Sequence, residues 1–218
     1  MKVNQLIPLR FGLLCLAAVL SGCTTPTNLY VHKQELIRYH DLGRYEAQVQ
    51  HVAGRALGYI RKRAASGEQN LAVVLDIDDT AISTWGRLIQ DDFARKDEMF
   101  VRWVGAHNDP PIDPILDLYR QSKELDLKVF FITGRRPPLR ERTEQILTAA
   151  GYADHDGVFF RPETDKHKSI VPFKSGARKE IIGRGFKIVA NIGDQHSDLA
   201  GGYAERTFKV PNPFYYTQ

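Results

Sequence analysis

The sequence predicts an α/β domain in which a parallel sheet lies between two layers of helices. Apolar runs at 71–75 and 127–132 are continuous rather than alternating, as expected for strands that are buried on both faces. Helical patterns separate the predicted strands, and this alternation is typical of parallel sheets covered by helices. In such sheets, functional residues gather at the carboxyl ends of the strands.

The individual elements follow from local patterns. A helix is predicted over residues 32–66, because Val52, Ala56 and Ile60 recur at helical spacing. Asp113 before Pro114 is typical of a helix start, and Gly151 is placed to end a later helix. The prediction has helices at about 32–66, 113–125, 137–150 and 174–184, and strands at 71–75, 127–132, 158–160, 187–192 and 208–210.

Residues 81–112 fit no strand–helix unit, so we expect a small insert, a minimal cap over the strand ends, directly after the first strand. Four large aromatic residues lie in it. They either stack against a ring of a bound molecule or form the apolar core of the insert itself. These residues are Trp85, Phe93, Phe100 and Trp103.

Length and composition limit the functions that the chain can have. Its 218 residues, 43% of them hydrophobic, suit one globular domain. Two cysteines are too few for a disulfide scaffold or a cysteine-rich zinc site. The net charge of +4 is small and dispersed, which argues against a nucleic acid polymer as a partner.

The first 22 residues have the layout of a secretory signal. A positively charged start precedes a short apolar run over 11–20, and residues 20–23 (LSGC) resemble the lipobox of bacterial lipoproteins. We therefore expect a signal peptide over 1–22, a lipidated Cys23, a tether over 23–31 and the domain over 32–218. A plain signal peptide or an N-terminal helix is the alternative. The expected location is the periplasmic side of the cell envelope, and Thr24 after the cysteine favours the outer membrane over the inner one.

The first strand ends in three carboxylates: Asp76, Asp78 and Asp79. Side chains alternate along a strand, so Asp76 and Asp78 point the same way. Carboxylates this close repel one another unless a cation neutralises them. A polar strand end that caps the next helix is the alternative interpretation.

Anion-binding groups follow the second strand and open a later helix. Thr133, Gly134 and Arg135 supply a hydroxyl donor, a backbone that an anion can approach closely, and a cation. Lys174 is predicted at a helix start, where the helix dipole favours anions, and a bound phosphate would explain a lysine there. Alternatives for this lysine are Lys166, Lys168 and Lys179.

A second acidic pair follows the strand at 187–192. Asp194 and Asp198 are four residues apart, a spacing that could place both on one face of a helix. Together with the first acidic group they would form the hard oxygen site that Mg²⁺ prefers. An aspartate that caps a short helix is the alternative interpretation. His196 between them is interpreted as a loop residue, or as one that supports the ligands, rather than as a ligand.

Taken in order, these motifs resemble the haloacid dehalogenase (HAD) superfamily. The segments DIDDT, FFITGR, FKSGAR and GDQHSDL are similar to those of its subfamily IIIB, the class B-like acid phosphatases and plant vegetative storage proteins. The resemblance covers residues 30–215 and implies an HAD-like Rossmannoid fold of three layers. The sequence departs from the family pattern at His196, where an aromatic residue is usual, and at Asp79, where Glu is common.

The resemblance also implies a role for each matching residue. Asp76 would be the nucleophile and Asp78 the general acid and base. Thr133, Gly134 and Lys174 would bind the phosphoryl oxygens. Mg²⁺ would be held by Asp76, the backbone carbonyl of Asp78, and Asp194, while Asp198 and Arg135 would orient these groups.

The implied activity is a magnesium-dependent acid phosphatase that acts on small phosphate monoesters, nucleotides among them, through an aspartyl phosphate. A phosphotransferase on the same scaffold and a non-catalytic envelope or storage-type binding protein are the alternatives. The sequence does not determine the physiological substrate, the pH optimum or the oligomeric state.

Overall fold

A computed structural model describes residues 28–94 and 97–217. Its centre is a five-stranded sheet in which every pairing is parallel and the strand order is β3-β2-β1-β4-β5. The predicted α/β class is therefore confirmed. The strands are β1 (Leu71–Leu75), β2 (Lys128–Thr133), β3 (Gly157–Phe160), β4 (Lys187–Gly193) and β5 (Arg206–Lys209).

Helices cover both faces of this sheet. They are α1 (Leu29–Asp41), α2 (Arg44–Ala64), α3 (Trp85–Gln90), α4 (Asp97–Ala106), α5 (Asp113–Glu124), α6 (Arg140–Ala149), α7 (Val171–Gly183) and α8 (His196–Leu199), with a 3₁₀ turn at Pro137–Leu139 before α6. No helix in the described ranges is long and apolar enough to cross a membrane.

The continuous apolar run of β1 is explained by burial on both sides. Leu71, Val73 and Leu75 pack into a core formed with α2, α5 and α6. Ala72 and Val74 point the other way and pack into a second core with α7. Because β1 occupies the middle of the sheet, no position along it faces water, and an alternating pattern would have buried unpaired polar groups.

The prediction of one helix over 32–66 is wrong, because the segment forms two helices. Gly43 lies between them with φ +70°, a left-handed conformation that glycine adopts at little cost. The break lets α2 bury one side against the sheet while α1 has no buried residue. The first helix also begins at Leu29, so three residues that we assigned to the tether belong to it.

Other boundaries differ by a few residues. Helix α7 begins at Val171, so Lys174 lies at its fourth position rather than at its start. Strand β5 covers Arg206–Lys209 instead of 208–210. The predicted signal peptide (1–22) and Cys23 lie outside the described residues, and these assignments stay predictions.

The insert folds back onto the end of the first strand. It contains α3 and α4, and two isolated bridges fix it: Asp78 pairs with Ile82, and Ile82 pairs with Pro111. Leu88 and Val104 supply its buried apolar contacts. The insert therefore sits at the carboxyl edge of the sheet, where the motif residues emerge.

Candidate active site

The paired aspartates after β1 open onto a cavity. The backbone N–H of Asp76 donates to the carbonyl of Ile192 at 3.0 Å, which extends the β1–β4 pairing to this residue. Asp76 and Asp78 both line a cavity of about 470 Å³. Both residues therefore border the same cavity, although β1 ends at Leu75 and strand alternation does not extend to them.

Lys174 reaches this cavity from α7 and is held between two carboxylates. Its Nζ lies 2.5 Å from Asp76 Oδ1 and 2.6 Å from Asp198 Oδ1, and all three side chains are buried. Burial alone would lower the pKa of Lys174, but the Asp198 and Asp76 carboxylates raise it overall. Lys174 is therefore a fixed positive charge. Lys166, Lys168 and Lys179 are exposed, so Lys174 is the lysine of the four that the structure brings to the site.

Asp194 projects from the end of β4 into the same cavity. Its Oδ2 accepts 2.6 Å hydrogen bonds from the side-chain amides of Gln195 and Asn212, and its Oδ1 accepts one from the Thr80 hydroxyl at 3.2 Å. Burial, reinforced by the negative charge of Asp198, raises the pKa of Asp194 to about 7.

Asp198 reaches the site differently from our expectation. Asp194 precedes α8 and Asp198 lies within it, so the two do not share a helical face. Asp198 Oδ2 instead accepts the backbone N–H of Gln195 at 2.8 Å, at the start of α8. The fold brings Asp198 near Asp194 through this turn. His196 is exposed, and it is the first residue of α8 rather than a loop residue.

Gly193 makes this close approach possible. A Cβ at this position would lie 2.4 Å from Asp198 Cβ and 2.7 Å from its Oδ2. Any side chain at residue 193 would therefore displace the Asp198 carboxylate from Lys174.

Arg178, one helical turn after Lys174, holds the backbone of residues 198–202 in place. It is fully buried, and its guanidinium donates to the backbone carbonyls of Asp198 (2.6 Å), Gly202 (2.7 Å) and Ala200. Helix α7 thus contributes both Lys174, which contacts the carboxylates, and Arg178, which holds the backbone around Asp198.

The carboxylates of Asp76, Asp194 and Asp198 form a group that fits a divalent cation. One oxygen of each lies within 4.8 Å of the others, and all three residues are buried. Burial raises the pKa of Asp76 well above its usual range despite the nearby Lys174, since Asp198, Asp194 and Asp78 add to the effect. A hard cation such as Mg²⁺ is bound by oxygen ligands of this kind and would relieve the repulsion.

Asp78 has a separate partner. Arg135 Nη2 donates to Asp78 Oδ1 at 2.7 Å, and Arg135 Nε lies 3.2 Å from Oδ2. Arg135 Nη1 also donates to the Thr143 hydroxyl on α6 at 3.1 Å. Arg135 therefore fixes the direction of the Asp78 carboxylate, and its role in orienting the site stays a prediction.

Thr133 and Gly134 form the turn between β2 and Arg135. Thr133 is fully buried, and its Oγ1 accepts the backbone N–H of Arg135 at 3.1 Å. Gly134 lines the cavity, whereas Thr133 is not part of the described cavity wall. A contact between the Thr133 hydroxyl and a phosphoryl group stays a prediction.

All four insert aromatics pack against protein side chains. Trp85 stacks on His40 with ring centroids 3.8 Å apart, Phe93 contacts Trp85, and Trp103 stacks on His107. Phe100 is the one of the four that lines the cavity. Phe100 also packs, partly buried, against the main hydrophobic core, so it both supports the insert and borders the cavity.

The C-terminal segment contributes residues that the sequence did not indicate. Asn212 donates to Asp194, and the Tyr215 hydroxyl donates to Asp79 Oδ2 at 2.5 Å. Asp79 is buried, has φ 56°, and also accepts from the backbone and hydroxyl of Thr84. It is therefore an anchor beside the cavity. No local motif marks residues 211–217, so only the folded chain shows their proximity to the site.

The sheet topology and the residues at the strand ends define the class of the protein, a phosphatase-type domain of the HAD superfamily. The fold is shared with the class C acid phosphatase from Bacillus anthracis, with a TM-score of 0.70, 17% sequence identity, and coverage of 84% of this chain and 86% of that one.

Within this superfamily, the chain matches one subfamily. The model described as "HAD superfamily, subfamily IIIB (Acid phosphatase)" matches residues 20–218, and the chain belongs to this family. Acid phosphatase 1 of Solanum lycopersicum is 32% identical over 181 residues, 79% of this chain and 69% of the relative. Vegetative storage protein 1 of Arabidopsis thaliana is 26% identical over 88% of this chain and 72% of the relative. The predicted family and the predicted class of phosphoric monoester hydrolase are confirmed.

Replacing Asn212 tests whether the C-terminal segment positions the acidic group. Asn212→Ala removes the amide donor to Asp194, and the loss of such a supporting bond typically costs about 10–100-fold in metal affinity or activity. We expect the Mg²⁺ concentration that half-activates phosphate release to rise by about that factor. Tyr216→Ala is the matched control, because Tyr216 lies in the same segment and is exposed. An unchanged Mg²⁺ response in Asn212→Ala would contradict the positioning role.

Proposed function

We propose that the protein is a magnesium-dependent acid phosphatase that hydrolyses small phosphate monoesters through an aspartyl phosphate on Asp76. One observation carries the proposal: the Asp76 carboxylate lines the cavity while Lys174 holds one of its oxygens at 2.5 Å. A nucleophile with a fixed direction and a cation beside it are what phosphoryl transfer requires.

Asp76 would attack the phosphorus atom. A bond forms between a carboxylate oxygen and phosphorus, and the bond from phosphorus to the leaving oxygen breaks. Because Lys174 is bound to both Asp76 and Asp198, the carboxylate is oriented before substrate arrives. Little reorganisation is then needed during the reaction.

Asp78 would act as the general acid in the first step and as the general base in the second. It lies two residues after Asp76, beyond the end of β1 and on the same cavity wall, so it is placed to protonate the leaving alcohol. In the second step it takes a proton from the water that attacks phosphorus, and the Asp76–phosphorus bond breaks. Arg135 maintains the direction of the Asp78 carboxylate through both steps.

The negative phosphoryl oxygens need donors and positive charge. Lys174 supplies a charge, and Gly134 exposes its backbone on the cavity wall. Thr133, which matches the family motif, would donate a hydrogen bond to a phosphoryl oxygen. Bound Mg²⁺ would be held by Asp76, the backbone carbonyl of Asp78 and Asp194, and it would neutralise charge on the phosphoryl group.

Storage-type relatives make a non-catalytic role the second candidate. Besides Vegetative storage protein 1, the chain is 29% identical to "Stem 28 kDa glycoprotein" of Glycine max over 90% of its length. Asp76, Lys174 and Asp194 argue for the enzyme, because buried charges of this kind cost stability that binding or storage alone would not require.

Replacing Asp76 tests the nucleophile. In Asp76→Asn the amide cannot form an acyl phosphate, so we expect phosphate release from phenyl phosphate to fall by about 10³-fold or more. The fold should persist because Lys174 keeps its contact with Asp198. The measurement is steady-state phosphate release together with acid-quenched labelling by ³²P substrate, in which only wild type should retain label. Turnover near the wild-type rate in the mutant would refute the assignment. Adding an acceptor alcohol and analysing the products distinguishes a hydrolase from a phosphotransferase.

Removing divalent cations tests the metal. Three carboxylates in one buried group should bind a cation, so we expect chelation by EDTA to abolish phosphate release and Mg²⁺ to restore it. The same titration followed by thermal unfolding should show a higher melting temperature with Mg²⁺, because a ligand that binds only the folded state stabilises it. Full activity after exhaustive demetallation would contradict this part of the proposal.

We also propose that lipid on Cys23 anchors the protein to the envelope membrane, facing the periplasm. The LSGC segment supports this proposal. In a bacterial host, wild type should incorporate radiolabelled palmitate and fractionate with membranes. Cys23→Ser should lose the label, whereas Cys15→Ser in the signal segment is expected to keep it. Label retained in Cys23→Ser would show that the anchor is elsewhere.

A further inference from the structure

Arg87 is a buried cation on the cavity wall that the proposed mechanism does not use. It lies on α3 in the insert, it is 2% exposed, and it lines the cavity. Its guanidinium has one hydrogen bond among the described residues, from Nη1 to Asp91 Oδ2 at 3.4 Å. Nε is buried and has no hydrogen-bond partner among residues 28–94 and 97–217.

The pattern of satisfied and unsatisfied donors on Arg87 is specific. Nη1 contacts Asp91, whereas Nε and Nη2 form the other edge of the planar guanidinium and donate to no group in the described part of the chain. Two parallel N–H groups on one edge match the two oxygens of a carboxylate or phosphate. A buried donor without an acceptor is costly, so an unused edge at a cavity points to a ligand.

Other cations on the cavity wall are held more tightly. Arg161 contacts Asp165 at 2.9 Å, and Arg136 donates to the backbone carbonyl of Pro162. Lys174 and Arg135 are paired with carboxylates at the reacting centre. Arg87 is therefore the cation on the described wall with an edge left for a ligand.

Arg87 lies near the residues that are proposed to act on the leaving group. The Phe100 ring lies 5.5 Å from the guanidinium carbon of Arg87 and 5.7 Å from that of Arg135. Arg135 in turn binds Asp78, the residue proposed to protonate the leaving oxygen. Phe100 thus contacts both Arg87 and Arg135, which places Arg87 near the residue proposed to protonate the leaving oxygen.

We propose that Arg87 selects phosphate monoesters whose leaving group carries a second anionic group, a carboxylate or a phosphate. This inference rests on the proposed phosphatase function and adds a substrate class to it. The leaving group would lie along Phe100, with its anionic oxygens on the Nε–Nη2 edge of Arg87. A hydrogen bond from a guanidinium to an anion is about twice as strong as one between neutral groups, so the anion should be preferred over a neutral group of the same shape.

Four aryl phosphates test this class: phenyl phosphate, 3-carbamoylphenyl phosphate, 3-carboxyphenyl phosphate and resorcinol bisphosphate, with para isomers run in parallel. For wild type we expect kcat/KM to be about tenfold higher for the carboxylate than for the matched amide. Comparing kcat/KM for 3-carboxyphenyl phosphate and resorcinol bisphosphate shows whether the site prefers a carboxylate or a phosphate. In Arg87→Met the ratio of carboxylate to amide should fall to about one.

Arg102→Met is the matched control. It removes one positive charge from the same insert, but Arg102 is exposed and does not line the cavity, so the preference should persist. If Arg87→Met does not fold, inhibition of wild type by benzoate and benzamide replaces it, and stronger inhibition by benzoate supports the proposal.

The possible results distinguish a failure of the proposed role of Arg87 from a failure of the proposed phosphatase function. Equal kcat/KM for the carboxylate and amide esters in wild type overturns the role of Arg87 and leaves the phosphatase function intact. A ratio that is unchanged in Arg87→Met also overturns it and assigns the arginine to folding alone. Absence of hydrolysis for all four esters, phenyl phosphate included, is a failure of the proposed function itself.

Discussion

The concentration of negative charge at the end of β1 is the constraint on which the rest of the site depends. Asp76, Asp194 and Asp198 are buried within 4.8 Å of one another, and carboxylates so placed cannot all be ionised without compensation. Lys174 supplies one positive charge at 2.5 and 2.6 Å from two of them. One lysine does not balance three carboxylates. Burial, and after it the neighbouring carboxylates, raises the pKa values of Asp76 and Asp194, and a divalent cation would offset the remaining negative charge.

Much of the surrounding structure can be understood as support for this charged centre. Helix α7 contributes both Lys174 and Arg178, and Arg178 fixes three carbonyls of the turn around Asp198. The C-terminal segment crosses the same edge of the sheet, where Asn212 holds Asp194 and Tyr215 holds Asp79. Each of these bonds satisfies a buried polar group and also restricts a carboxylate to one direction. Stability and preorganisation are therefore supplied by the same contacts.

The sequence predicted those features that local chemistry determines. The apolar runs of β1 and β2 indicated buried strands, and four polar segments at strand and helix ends identified Asp76, Asp78, Lys174 and Asp194. The break at Gly43 was missed because the helical periodicity of residues 32–66 continues across it, and a single glycine does not require a break. Asn212 and Arg87 were missed for another reason. Their roles depend on which distant residue they face, and that depends on tertiary packing rather than on spacing along the chain.

The insert shows why the fold does not by itself determine the substrate. Trp85 and Trp103, the two largest rings, are stacked on His40 and His107 and do not line the described cavity. The cavity is bounded on this side by Phe100 and Arg87 instead. The residues proposed to act on phosphorus follow the strands or lie on α7, whereas those proposed to meet the leaving group lie on short helices of the insert. On this proposal catalysis and selectivity depend on different parts of the chain, and relatives with the same sheet can differ in what they bind.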